Sequence, residues 1–281
     1  MRGSQLFTLL GLAIAVCACT FQNALADGLS EPQADQLLQQ FSQGMSPFDG
    51  LLELAEKGDP LAQDRLGIAY LTGKGVDKDY GMARTWLLKS AEQGYTYAQF
   101  RLGYMYEEAL GTSKDVALAI HWYQEAAKQG NRAAAYNLGL LYQAGKDLES
   151  DDLLAAKWYL IAAEQGLTIA QLNLGLIYLE SKSVEHDYDQ AHRWLSEAAK
   201  SGNAKAQYNL GLLYAEGKGV DKNPIKALEL FRSAAAGGEW WAMYAISIAY
   251  RDGSLGLAYD RNLADEWYKK FIDAQVAAQQ K

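Results

Sequence analysis

The chain has 281 residues, 49% of them hydrophobic and 21% charged, enough apolar mass to bury a long core. Its 26 basic residues against 34 acidic ones give a formal net charge of −8, with no polybasic run. That balance argues against nucleic acid, whose phosphates demand clustered Lys and Arg, and against anionic lipid surfaces; it suits a soluble monomer.

The first 26 residues read as a leader rather than as part of the fold. Arg2 supplies a positive start, Leu6 to Val16 form a short apolar core, and Ala24-Leu25-Ala26 gives the small-x-small pattern cut by signal peptidase. That core is too short to span a bilayer, which takes about 20 residues. Cleavage after Ala26 leaves a chain starting at Asp27, periplasmic or secreted. The alternative is a lipoprotein: Val16-Cys17-Ala18-Cys19 loosely resembles a lipobox, with Cys19 as the lipid anchor. Both cysteines lie in this leader, so cleavage at Ala26 removes every thiol and with it disulfides and thiolate metal ligands.

Residues 27–57 read as an N-terminal cap. Ala34 to Gln43 has the pattern of a polar amphipathic helix, and Ser46 to Glu56 that of a lone second helix with Ala55 in register with Ala91.

From there one segment recurs six times at a step of 36 residues. Leu66, Leu102, Leu138, Leu174, Leu210 and Ile246 are each followed by a small residue, glycine in five copies and Ser247 in the last. Four positions before stands an alanine (Ala62 in the first copy), and four positions after a tyrosine (Tyr70). A period of this size predicts stacked helix pairs, each unable to bury its apolar face without a neighbour. Ala62, Leu66 and Tyr70 share one helical face. Gly67 sits inside that helix at a cost of about 1 kcal/mol relative to Ala, which predicts that another helix approaches closely there. A breaker loop, Gly73-Lys74-Gly75, ends the first helix. Asp79, Asp115, Asp151, Asp187 and Asn223 fall where they would cap the second. Its inward face carries Ala83, Trp86, Leu87 and Ala91, and Gly94 stops it.

Five of the seven tryptophans, Trp86, Trp122, Trp158, Trp194 and Trp267, occupy one column of the repeat. Their register with Ala and Leu makes them core packing rather than a ligand box. The columns resemble the Sel-1-like repeat, a relative of the tetratricopeptide repeat, over about residues 50 to 271; the units Ala98 to Gly130 and Ala206 to Gly238 carry most of the pattern. The resemblance implies an all-α fold, an α-solenoid of six helix-turn-helix repeats in a right-handed superhelix with helical end caps. The repeats fall at about 58–94, 95–130, 131–166, 167–202, 203–238 and 239–271. Residues 272–281 extend the final helix and turn polar at Gln279, Gln280 and Lys281, the polar end that a stack needs to stay soluble. The loops Lys146 to Asp152 and Ser181 to Asp187 lack the glycines of the others and are expected to be locally mobile.

No catalytic spacing stands out: there is no Gly-x-Ser-x-Gly elbow, no His-Glu-x-x-His and no Ser-x-x-Lys. The glycine loops at Gly73 and Gly217 lack the Gly-Lys-Ser/Thr of a phosphate cradle. His121, His186 and His192 read as surface residues with no converging ligand set for zinc. No enzyme activity, cofactor or metal is expected. Some cysteine-rich members of the resembling family are described as binding or hydrolysing penicillin-type compounds. They carry a cysteine pair in each repeat and this chain has none, so a cell-wall or β-lactam hydrolase stands only as an alternative, beside a structural lipoprotein tethered to the outer membrane.

The reading that remains is an exported scaffold, adaptor or regulator, holding a protein or peptide in the concave groove of the solenoid. On each first helix the positions equivalent to 64, 68 and 71 are expected to line that groove. Column 64 gives Phe100, Tyr136, Tyr208 and Tyr244 as candidates for contact with a partner or for a structural role. Column 71 gives Glu107, Gln143, Leu179 and Arg251, varying along the stack as a tuned surface would, or as drift on a solvated face would. Arg101, Asn137, Asn173 and Asn209 form a row of donors suited to an extended peptide or a carboxylate, or to bonding between helices. Column 68, uniformly apolar from Ile68 to Ile248, is read as packing between neighbouring first helices. Trp240 and Trp241 are adjacent and cannot both point inward, so either one anchors a partner or both seal the end of the stack.

Overall fold

A computed structural model of the chain describes residues 47–146, 149–181, 184 and 186–279. The leader with Cys19, the expected helix Ala34 to Gln43 and parts of both glycine-poor loops lie outside the described residues. Among the described residues all regular structure is helical, in 13 helices. They are α1 (Pro47–Glu56), α2 (Pro60–Thr72), α3 (Tyr80–Glu92), α4 (Thr96–Glu107), α5 (Val116–Lys128), α6 (Arg132–Ala144), α7 (Asp152–Glu164), α8 (Thr168–Glu180), α9 (Tyr188–Lys200), α10 (Ala204–Glu216), α11 (Pro224–Ala236), α12 (Trp240–Asp252) and α13 (Arg261–Gln279). None is long and apolar enough to cross a membrane.

The chain divides into two compact units, Met1–Ser150 holding α1–α6 and Asp151–Lys281 holding α7–α13. Within each unit every helix packs on the next in sequence, the arrangement of an all-α solenoid.

The helix ends follow from the sequence. Asp79, Asp115, Asp151 and Asp187 accept from the backbone N–H three residues on, at 2.8–2.9 Å, and Asn223 does the same at 3.0 Å. Each such cap is worth about 0.5–2 kcal/mol against Ala. First helices are capped in the same way where the residue allows, by Asp59, Asn131 and Asn203. The residue closing each second helix must turn left-handed, and Gly94, Gly130, Gly166, Gly202 and Gly238 do so at φ between 77° and 87°.

The glycine column proves to be a seat for the second helix. A Cβ on Gly67 would lie 2.6 Å from Leu87 Cγ, one on Gly103 2.7 Å from Tyr123 Cδ1, one on Gly175 2.8 Å from Leu195 Cγ and one on Gly211 2.7 Å from Phe231 Cε1. In each pair the residue following the Trp (or Leu230) column presses on the backbone of its own first helix. The helix-propensity cost of glycine is the price of that approach. Ser247 fills the same place differently: its hydroxyl donates to the Ala264 carbonyl of α13 at 2.8 Å.

A row of glutamines, not singled out in the sequence, ties successive repeats. Gln63, Gln99, Gln171 and Gln207 each donate to a carbonyl in the last turn of the preceding second helix, on Ala55, Ala91, Ala163 and Ala199, at 3.0–3.3 Å. Those carbonyls are orphans of a helix end. Gln93 and Gln129 in turn donate to the side-chain oxygens of Gln63 and Gln99 at 2.7 Å.

The tryptophan column is structural. Trp86 is buried in a cluster with Ala55, Ala62 and Leu66, Trp194 is buried, and Lys89, Arg193 and Lys270 lie over the rings of Trp86, Trp194 and Trp267.

The C-terminal helix also carries an exposed apolar face: Tyr268, Ile272 and Val276 of α13 are 47%, 36% and 46% exposed. Gln280 and Lys281, where the chain was expected to turn polar, lie outside the described residues.

Candidate functional site

The first helices carry every residue proposed for partner contact, and the structure separates these into three groups. Phe100, Arg101, Tyr136, Asn137 and Asn209 are buried and do not form a surface, which corrects their assignment to a groove lining. The physical reason is that a first helix is covered on two sides, by its own second helix and by the one before. On α4 this buries eight residues, from Ala98 to Tyr106, across more than one face. Column 64 therefore points into the core: Phe100 packs against Tyr123 at 5.7 Å between ring centroids, and Tyr208 against Phe231 at 5.8 Å.

The buried donors are committed within the protein. Arg101 Nη1 donates to Asp64 Oδ1 at 2.7 Å, joining α4 to α2, with side chains 0% and 2% exposed. Burial raises the Asp64 carboxyl above its ordinary value, while Arg101 and Arg65 pull it down. Asn137 Nδ2 donates to the Tyr123 hydroxyl at 3.1 Å, and that hydroxyl donates to Glu107 Oε2 at 2.7 Å. Two sequence candidates, Glu107 and Asn137, are thus brought together by a third residue that was not one. Asn209 Nδ2 bonds the Lys205 carbonyl of its own helix at 2.8 Å. Of the donor row, Asn173 is half-buried.

The second group remains accessible. Glu107, Gln143, Leu179, Tyr208 and Tyr244 are half-buried and Arg251 is exposed. Tyr208 is pushed up to about 12 by burial and then by the carboxylates of Glu239, Glu180 and Glu216. Beside these, column 68 is half-buried throughout: Ile68, Tyr104 and Leu140 in the N-terminal unit, and Leu176, Leu212 and Ile248 in the C-terminal unit. The position four residues further on is exposed in every repeat, as Thr72, Glu108, Ala144, Glu180, Glu216 and Asp252. In each unit the first helices thus present an apolar row with an exposed margin that is polar or charged at every position but Ala144.

The third group is the pair Trp240 and Trp241, both half-buried. Their rings lie 4.9 Å apart and both pack on Phe271 of α13, each at 5.8 Å, Trp240 stacked and Trp241 tilted, with Tyr244 5.2 Å from the same ring. Both tryptophans pack against the end helix.

His121 is exposed against Trp122, and His186 is exposed with its ring parallel to that of Tyr188. His192 departs from the expected surface placement: it is half-buried and shares a hydrogen bond of 3.2 Å with the Tyr214 hydroxyl. Its burial lowers its pKa, against Asp189, which raises it. Among the described residues no three His, Cys, Asp or Glu side chains gather as a metal site. A cleft of about 650 Å³ runs along the loop edge of the C-terminal unit, lined among others by Leu153, Tyr178, His186 and Asp187. The Asp187 carboxylate there is already committed to the cap of α9.

The Sel1 repeat model matches residues 60–95, 96–131, 132–167, 168–203, 204–239 and 242–275. The chain belongs to the Sel1 repeat family. Its fold is shared with c5321, described as a protective antigen present in uropathogenic Escherichia coli strains displaying an SLR fold, at 35% identity and a TM-score of 0.77. That match takes in 81% of this chain but only 49% of the antigen, so the Sel1 chain spans about half the length of that relative. A Sel1 repeat protein from Oxalobacter formigenes is 32% identical with a TM-score of 0.63, covering 89% of this chain and 96% of its own. Among curated proteins none matches the chain.

Proposed function

We propose that the chain is an exported scaffold or adaptor that holds a protein or peptide partner on the faces of its first helices. The observation that carries this reading is the half-buried apolar row, Ile68, Tyr104 and Leu140 in one unit and Leu176, Leu212 and Ile248 in the other. A row of large apolar side chains left partly open, with an exposed hydrophilic margin, is the composition of a recognition surface rather than of a solvated face. Beside the row, the column at 71 differs within each unit, Glu107 and Gln143 in one and Leu179 and exposed Arg251 in the other, so a partner on either unit meets a different chemistry at each repeat. Membership of a family of interaction repeats supports the same reading.

Export rests on the leader pattern of residues 1–26. Affinity capture from envelope extracts tests the binding reading, comparing the wild-type chain with a Leu176→Glu, Leu212→Glu variant. Loss of the captured protein from the variant is expected, and identical capture by both sinks the assignment.

A further inference from the structure

The exposed face of α13 occupies positions that are buried in the repeats before it, apart from the half-buried Ala199. Counted from the cap Asp260, Tyr268 stands where Leu87, Tyr123, Leu195 and Phe231 stand, and Ile272 where Ala91, Ala127, Ala163 and Ala235 stand. All eight of those residues are buried, whereas Tyr268 and Ile272 are 47% and 36% exposed. One cause is visible: Ser247 replaces the glycine seat, and the Tyr268 ring rests instead against Tyr244 and Phe271, at 6.3 and 5.7 Å.

A following Sel1 first helix is a poor fit for this face. The column that is alanine in the other repeats is here Ile272, whose side chain holds a neighbour further off. With Tyr268 and Val276, Ile272 instead forms a ridge of side chains four residues apart. Two ridges of that kind interdigitate at about −50°, the commonest way for helices to cross. The flank of the ridge alternates in charge, with Asp265, exposed Lys269 and exposed Asp273. In an antiparallel pair of such helices Lys269 of each copy faces Asp273 of the other. An apolar ridge that complements itself and a flank whose charges complement themselves both select one occupant.

We propose that α13 is a homodimerisation surface, pairing with α13 of a second copy about a two-fold axis. A two-fold pairing uses each ridge once and closes, so it produces dimers and not filaments. One helix per copy is a small interface, which makes the dimer weak and dependent on concentration.

Sedimentation equilibrium of the full chain from micromolar to millimolar loading tests this. A monomer–dimer equilibrium is expected, abolished by Ile272→Lys but unchanged by Ile225→Lys, which alters a more exposed apolar residue on α11. Lys269→Asp is expected to weaken the dimer and Lys269→Asp with Asp273→Lys to restore it. Far-UV circular dichroism confirms that each variant is folded. A protein that is monomeric throughout the range overturns the proposal, as does a dimer indifferent to Ile272→Lys.

Discussion

Removing the Asp64 carboxylate should be among the most damaging single changes in the N-terminal unit. Asp64→Ala leaves the Arg101 guanidinium charged, since arginine does not lose its proton in proteins. Its carboxylate partner at 2.7 Å is then gone from a site where both side chains are all but fully buried. Breaking a buried pair from one side costs about 3–5 kcal/mol. With a urea slope of about 2 kcal/mol per molar, the midpoint falls by about 1.5–2.5 M. Replacing both partners should behave oppositely. Asp64→Leu with Arg101→Asn installs what the protein already uses at Leu172 and Asn209, where the Asn bonds its own helix and the neighbouring second-helix residue is Leu195, as it is Leu87 here. That double variant should equal or exceed wild type, because an apolar replacement avoids desolvating two charges. The pH dependence has a definite sign. A carboxyl raised in the folded state, as Asp64 is, lends stability below its ordinary value of 3.8, and that stability is lost as pH rises through the folded value. The advantage of the double variant over wild type should therefore grow as pH rises above about 4. Urea unfolding followed by circular dichroism reads all three proteins. A loss below about 1 kcal/mol for Asp64→Ala would refute the reasoning, because a solvated pair is worth no more than that.

Gly103→Ala gains about 1 kcal/mol of helix propensity yet forces a Cβ to 2.7 Å from a Tyr123 ring held at its hydroxyl by Glu107 and Asn137. Overpacking of this kind costs about 1–3 kcal/mol, so chemical denaturation should show no net gain, and a clear stabilisation would deny the seat its role. Tyr208 should still carry its proton near pH 11, and its contribution to stability, present below pH 10, should fade as pH rises through about 12. Ultraviolet titration of wild type against Tyr208→Phe checks this; a phenol in that place titrating with the exposed tyrosines contradicts it. Mass spectrometry of the mature amino terminus should give Asp27 as the first residue, whereas a lipidated Cys19 would show the tethered form instead.

The repeat was legible because its columns are set by contacts that recur: the caps by orphan N–H groups, the glycines by the second helix pressing on them. Even the purpose of Gly67 could be argued from its cost alone. The site was less legible. Periodicity assigns one inward face to an amphipathic helix, but α4 is buried over much of its circumference, so Phe100 and Arg101 read as groove residues when they are core. Nothing local distinguishes Asp64 as the partner of Arg101, 37 positions away, and column 64 elsewhere is apolar. The glutamine row escaped notice because Ala135 and Met243 interrupt it, and because a polar residue beside Ala62 looks like surface. The apolar face of α13 was hidden by the one-residue shift of the last repeat, which moves Tyr268 and Ile272 out of the counted columns.

Hydrogen exchange of the chain with and without its captured partner addresses the proposed binding face most directly. Protection concentrated on the first helices, at the segments carrying Leu176, Leu212 and Ile248 or Ile68, Tyr104 and Leu140, is the predicted result. Protection confined to the second helices, with those segments exchanging as in the free protein, would contradict it.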